Sequence, residues 1–211
     1  MCGRYYIDQE EDRAEMRRIL DSVNRRFKDT EVQKALKTGE IVPGQVAPAL
    51  RPDPGNARNV MADLLQWGFP AFTGNRLVIN ARSETALEKP MFAKAMQKGR
   101  LLIPANAFFE WQLVEPGKKK KKIKLFLPDE PTFYMAGLAR FFQQPASEKL
   151  NLFRFVILTT AANESVAPFH DRMPLIIPRR ALLNWLRDDE AAVELLKQPV
   201  QQQLTAVDAL S

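Results

Sequence analysis

Residues 100–138 read RLLIPANAFFEWQLVEPGKKKKKIKLFLPDEPTFYMAGL, and their punctuation decides the fold. Four apolar runs, Arg100 to Ile103, Phe108 to Leu113, Ile123 to Leu127 and Thr132 to Leu138, alternate with short connections carrying Pro, Gly, Asn and Lys. Runs of this length bounded by turn residues predict strands. Parallel neighbours need crossovers of about a dozen or more residues, so connections this short predict antiparallel pairing. Downstream, Leu152 to Thr159 adds another strand. Upstream, Ile41 to Pro43, Val46 to Leu50, Val60 to Trp67 and Leu77 to Asn80 read the same way, broken by Pro and Gly. Helical periodicity is confined to three places. Met16, Ile19, Leu20, Val23 and Phe27 form one stripe of a helix over residues 9–27, with Asp8 as its N-cap. Its other face holds Arg17, Arg18, Arg25 and Arg26. Pro90 to Lys98 has proline in a first turn and Gly99 as a C-terminal cap. Pro178 to Lys197, with Leu182, Leu183, Trp185 and Leu186 apolar, predicts one or two helices ended by Pro199. There is no internal repeat and no long linker. The expectation is one α+β domain over residues 1–211, a mostly antiparallel, partly closed, barrel-like β-sheet flanked by helices.

Composition narrows the function classes. With 45% hydrophobic and 27% charged residues in 211, the chain can bury a core without disulfides or metal. Its apolar stretches are far shorter than the ~20 residues of a spanning helix, so no membrane is expected. The start, with Arg4 followed by Gln9-Glu10-Glu11-Asp12, lacks the layout of a secretory signal. A lone cysteine predicts a reducing cytoplasmic setting, nucleoid-associated in a bacterium. One Cys and one His are too few soft ligands for structural zinc, so no metal and no cofactor are expected. The net charge of +6 and the pI near 9.5 favour an anionic partner, although Lys118 to Lys122 supplies much of the excess. That run reads as a solvated hairpin tip.

Four residues carry chemistry. Cys2 becomes the terminal residue once Met1 is removed, as aminopeptidases do when the second side chain is small. It then bears an α-amine of pKa ~7.7–8.0 and a thiol of ~8.5. Such a 1,2-aminothiol condenses with an aldehyde through the amine and closes a thiazolidine through sulfur. The alternative is a small buried hydrophobe. His170, the single histidine, suits proton transfer near neutral pH or is a bystander. Glu110, inside Phe108-Phe109-Glu110-Trp111, is costly to bury unpaired and so meets a cation or does acid/base work. Asn80-Ala81-Arg82-Ser83-Glu84-Thr85 offers an amide and a guanidinium at a strand end, to hold an anion or to cap a helix through Ser83.

Met1-Cys2-Gly3-Arg4-Tyr5, Gln66-Trp67-Gly68-Phe69, the Asn80 to Thr85 segment, Phe108 to Trp111, and Phe169-His170-Asp171-Arg172-Met173-Pro174 stand in the order and spacing of a known family. Over about residues 2 to 190 the chain resembles the SRAP (SOS-response-associated peptidase) domain. The resemblance implies a protein that recognises abasic sites in single-stranded DNA, traps them as a thiazolidine crosslink and protects the lesion. It implies Cys2 as nucleophile, Asn80 holding the terminal amine or the sugar, and Glu110 orienting the amine and moving protons. His170 would protonate the sugar ring oxygen. Arg4, Arg82 and Arg172 resemble phosphate contacts, while Pro43, Trp67 and Met173 match apolar positions that pack on sugars or bases. A monomer is expected.

Two departures from the pattern stand out. Glu40 occupies the segment before Pro43, where the family usually carries Asn, and the C-terminal strand motif is reduced to Leu204-Thr205-Ala206-Val207. Two further readings compete. Cys2, His170 and Asn80 supply the residue types of a thiol peptidase or autoprocessing hydrolase, and the basic pI with Trp67 suits a non-covalent single-strand binding module.

Overall fold

The computed structural model describes residues 2–8, 14–114, 119–143, 150, 152–199 and 202–209. In chain order the elements are β1 Arg4–Ile7, α1 Ala14–Arg26, α2 Glu31–Ala35, β2 Gly39–Ile41, β3 Val46–Asp53, β4 Asn56–Trp67, β5 Phe69–Pro70, β6 Leu77–Val78 and β7 Asn80–Arg82. They continue with α3 Pro90–Lys98, β8 Arg100–Ala105, β9 Ala107–Gln112, β10 Lys121–Phe126, β11 Phe133–Phe141, β12 Phe153–Ala161, β13 Arg172–Pro174, β14 Ile176–Ile177, α4 Leu182–Arg187, α5 Asp189–Lys197 and β15 Thr205–Asp208.

The larger sheet closes on itself. β12 pairs with β4, β4 with β3, β3 with β8, β8 with β11, and β11 returns to β12. Pairing is antiparallel except where β12 runs parallel to β4 and to β7. Strand alternation explains how this ring is filled. Leu65, Trp67, Leu101, Ile103, Phe155 and Ile157 belong to one buried cluster, whereas Leu64, Leu102, Val156 and Leu158 belong to a second that includes Phe92 and Trp185. Successive side chains point to opposite faces, so the ring has one apolar side facing inward and another beneath the helices. This is why β8 reads as a continuous apolar run. A second sheet, ordered β15-β10-β9-β1-β2, lies beside the ring and carries the chain start.

The helix Pro90–Lys98 has the expected bounds, with proline in the first turn and Gly99 as C-cap. Along α1, Met16, Ile19, Leu20 and Val23 are buried as their spacing predicts. Its described part starts at Ala14, and the proposed Asp8 cap involves residues outside the described ones; the Asp8 N–H donates to Asn106 Oδ1 at 2.7 Å. The lysine run needs correction. Lys121 and Lys122 are not a hairpin tip but residues of β10, paired with Gln112 and Trp111, while Lys118 lies outside the described residues. Leu183, expected on an apolar helix face, is half exposed. Leu204 to Val207 does end in a strand, β15, against β10. No helix among the described residues is long and apolar enough to cross a membrane.

Candidate functional site

Cys2 stands two residues before β1 and is fully buried. Its thiol donates to Arg4 O at 3.5 Å. Burial pushes the thiol's pKa well above the ordinary value, and the charge of Glu110 pushes it the same way. The register Arg4↔Phe109 between β1 and β9, carried one step further, sets Glu110 opposite Gly3. Glu110 is therefore delivered beside Cys2 by main-chain pairing alone. It is 2% exposed, and burial raises its pKa, with the charge of Asp171 adding to the effect.

Asn80 opens β7, the short strand that runs parallel to β12 at Ile157. Its Nδ2 donates to Cys2 O at 3.0 Å, so the chain start is tied to the ring across seventy-eight positions of sequence. Asn80 Oδ1 is buried and meets no partner among the described residues. A buried acceptor left open costs about 1–3 kcal/mol, so the site holds a place for a donor.

His170 closes a turn built by Asn163, whose Oδ1 accepts from Ser165 N at 3.1 Å, Ser165 Oγ at 2.7 Å and Val166 N at 3.2 Å. Such Asx geometry is why a short polar segment holds a fixed shape here. The turn is tied to β9 where Gln112 Nε2 donates to Pro168 O at 3.3 Å. His170 Nδ1 accepts from Arg172 N–H at 2.9 Å and lies 2.7 Å from Asp171 Oδ1. The first contact needs the nitrogen's lone pair, so the neutral ring carries its proton on Nε2. Protonating Nδ1 breaks that bond and turns the new N–H to Asp171. Burial lowers the pKa of His170, and Asp171 opposes it. Asp171 and Lys120 are thus among the charges that act on both Glu110 and His170.

The expected DNA contacts divide. Arg82, at the end of β7, is exposed and has no partner among the described residues. Pro43 is half-buried in a turn closed by Gln45 N–H on Val42 O at 3.2 Å, with Gly44 at φ 88°, a value that favours glycine. Arg4 is exposed, but its guanidinium lies 5.5 Å from the Trp111 ring centroid and pairs with Glu40. Glu40 is also held by Lys122, whose ammonium lies 4.3 Å from the Phe109 ring. Burial alone would raise the pKa of Glu40, but hydrogen bonds from Arg4 and Lys122 outweigh it and the net shift is downward.

Three expectations are corrected. Arg172 is not a free phosphate ligand: it forks onto Glu84 at 2.5 and 2.8 Å and donates to Thr159 O at 2.6 Å, which ties β13 to the segment after β7. Trp67 has no exposed face to offer a base. It is 0% exposed, edge-on to Tyr5, stacked on Phe155 and bonded through Nε1 to Ile79 O at 3.0 Å. Met173, 4% exposed, likewise faces the core, where its sulfur accepts from Asn163 N–H at 3.4 Å. Trp67 and Met173 support the site from beneath. Asp171, to which sequence alone assigns no role, contributes through its charge on both groups, and its place next to the single histidine is the signal that points to it.

The SOS response associated peptidase (SRAP) family model matches residues 1–210. The chain belongs to the SRAP family. It is 30% identical over 209 residues to the Bacillus subtilis abasic site processing protein YoqW, covering 95% of this chain and 87% of that one. To the Escherichia coli abasic site processing protein YedK it is 31% identical over 133 residues, 63% of this chain and 58% of that one. A solved structure of a Bacteroides thetaiotaomicron protein superposes with a TM-score of 0.74 at 21% identity, covering 98% and 91% of the two chains, which is a likeness of fold.

The raised carboxyl of Glu110 makes a stability prediction. A carboxylate whose folded pKa lies above its unfolded value stabilises below the unfolded pKa and loses that contribution as pH rises through the folded one. Glu110→Gln is expected to raise Tm at pH 7, by about 2–4 °C for each kcal/mol in a chain of this size. The gain should vanish at pH 4. Differential scanning calorimetry at the two pH values checks it; equal Tm values at pH 7 would mean that the buried charge carries no penalty.

Proposed function

We propose that this protein recognises abasic sites in single-stranded DNA and captures them covalently through Cys2 once Met1 is removed. One observation supports the reading: β1–β9 pairing sets Glu110 opposite Gly3, the Asn80 amide holds Cys2 O, and the Gln112–Pro168 hydrogen bond ties the turn of His170 to the strand of Glu110. An abasic deoxyribose equilibrates with a ring-opened aldehyde. The Cys2 amine adds to that carbon, and loss of one water gives the imine. The thiol then adds to the same carbon, its proton passing to the imine nitrogen, and closes the thiazolidine. Asn80 Oδ1, open and buried, supports a place for the amine's N–H, Glu110 the proton transfers, and His170 the opening of the sugar ring.

A thiol-peptidase reading would use the same Cys2 sulfur, and no geometry among the described residues favours it over aldehyde capture. The test is intact mass spectrometry of the purified chain with and without an abasic oligonucleotide. The expected result is a chain lacking Met1 that gains the mass of the oligonucleotide less one water. A chain that keeps Met1, or gains no mass, would overturn the proposal.

On this reading the phosphates meet the exposed Arg82 and, after exchange of partners, Arg4. Glu40 competes with DNA for Arg4 and Lys122. Glu40→Gln is therefore expected to tighten binding to intact single strands several-fold and to steepen the salt dependence by about 0.7 for each cation released. Arg82→Ala should make it shallower by one such step. Anisotropy titrations across a salt series measure both slopes, and an unchanged slope in Glu40→Gln would show that neither cation meets a phosphate.

A further inference from the structure

A cavity lies in another part of the fold. It opens between the tip of the β3–β4 hairpin, the C-terminal end of α3 and the junction of α4 and α5, next to the first residue of β12. Its volume is about 500 Å³, within the ~300–1,000 Å³ range of ligand pockets. None of Cys2, Asn80, Glu110 or His170 lines it.

The walls define what it can take. Leu101 and Leu186, both buried, and Ala139 make an apolar floor. Gly99 lets the end of α3 approach β11, since a Cβ there would sit 2.2 Å from Ala139 O. Of the cations around the floor, two are already neutralised. Arg51 pairs with Asp63 at 2.6 Å, and Arg100 binds Asp189 at 2.7 Å while donating to Trp185 O and Met96 O. Asp189 is the one carboxylate among the lining residues, and Arg100 holds it. The remaining three cations, Arg58, Lys98 and Arg187, are exposed and pair with no acid among the described residues; Arg187 donates to Arg58 O. An apolar cavity whose mouth carries three unneutralised cations complements a ligand that is apolar at its centre and anionic at its edges.

We propose that this pocket docks an acidic peptide segment of a partner protein, one bulky apolar side chain filling the cavity and flanking carboxylates meeting Arg58, Lys98 and Arg187. Peptide fits better than a nucleic-acid strand. Strands bind flat by stacking successive bases on several open ring faces, whereas a single aromatic ring lines this cavity, Phe153, half exposed and already in contact with the Arg51 guanidinium at 5.5 Å and with Phe141 edge-on at 5.5 Å. Guanidinium and ammonium groups spaced around the mouth of an apolar well suit carboxylates beside a buried anchor.

The test uses the full chain and a fluorescein-labelled pentapeptide, Asp-Asp-Phe-Asp-Asp, with two comparison probes: the same peptide with Ala for Phe, and a labelled oligothymidylate. Anisotropy should give saturable binding of the Phe peptide, weakened about tenfold by Arg58→Glu or Lys98→Glu. Ala57→Trp, which crowds the mouth at an exposed lining residue without changing charge, should weaken it as much. Circular dichroism checks that each surface variant is folded, and abasic-DNA crosslinking should be unchanged in all three. Absence of peptide binding, or equal binding of the Ala peptide, would overturn the proposal. So would displacement of the peptide by oligothymidylate that is itself lost in Arg58→Glu, which would make the pocket a nucleic-acid surface.

Discussion

Replacing Cys2 by alanine is expected to eliminate any product that survives heat and detergent, the largest effect of a single substitution in this chain. Alanine is also small enough for Met1 to be removed, so the variant keeps a free α-amine and can still form an imine with the aldehyde. It cannot close the ring. An imine hydrolyses readily, whereas the thiazolidine has two bonds to the sugar carbon, one from nitrogen and one from sulfur. Cys2→Ser should give at most a weak product that borohydride traps. Because Cys2 is fully buried, Ala and Ser both leave its small volume nearly filled, and loss of fold is a poor explanation for loss of product. The measurement is a denaturing gel with a labelled abasic oligonucleotide, with and without borohydride. Undiminished heat-stable product from Cys2→Ala would remove sulfur from the mechanism, and borohydride trapping by wild type and Cys2→Ala alike would locate the first bond at the amine.

Much of this architecture is legible in the sequence where local rules decide it. The helix Pro90–Lys98 is fixed by a proline that tolerates a first turn and a glycine that ends it. β8 to β12 form where apolar runs and turn residues set them, but short connections decide the pairing only of β9 with β10 and β11 with β12. β8 pairs with β11 and β3 instead of β9, and β10 and β11 lie in different sheets, because packing and not connection length divides the two sheets. Legibility stops where partners are distant. β13 and β14 are two or three residues long and exist because β12 and β11 offer them edges, and the parallel pairing of β7 with β12 joins Asn80 to Ile157 through no local signal. β4 starts at Asn56 rather than Val60 because an exposed hairpin extends past the core, where no apolar alternation is needed. The same limit governs the site. Cys2, Glu110 and His170 announce themselves by type, but the burial of Trp67 and the commitment of Arg172 to Glu84 are consequences of packing. An aromatic that looks like a base platform in sequence is, in the fold, a wedge beneath the site. Glu40, noticed as an acid near a cationic path, gains its meaning only when β2 lies beside β1 and sets it against Arg4.

The second large effect is expected in the pH dependence of crosslinking, where the proposed roles of His170 and Glu110 require opposite protonation states. His170 can give a proton to the sugar oxygen only as the cation, and burial lowers its pKa, so the step it assists should quicken as pH falls from 8 and level off below the folded pKa. Glu110 accepts protons only as the carboxylate, and burial raises its pKa, so capture should slow as pH falls through that raised value. The rate is then bell-shaped, with limbs drawn together by the two opposed shifts. His170→Ala should slow reaction of the closed sugar by ~10²–10⁴-fold and flatten the alkaline limb, while Glu110→Gln should slow capture of an already open aldehyde and flatten the acid limb. Asp171 supplies the sharper test. Its negative charge raises the pKa of both groups, so Asp171→Asn should move both limbs toward acid together, with little change in maximum rate. A bystander histidine or a purely structural glutamate would not shift in step with a neighbouring charge. Single-turnover rates from pH 4 to 9 for wild type, Asp171→Asn, His170→Ala and Glu110→Gln, each folded by circular dichroism, decide the matter. If Asp171→Asn moves one limb alone, the group governing the stationary limb is not the residue assigned to it here.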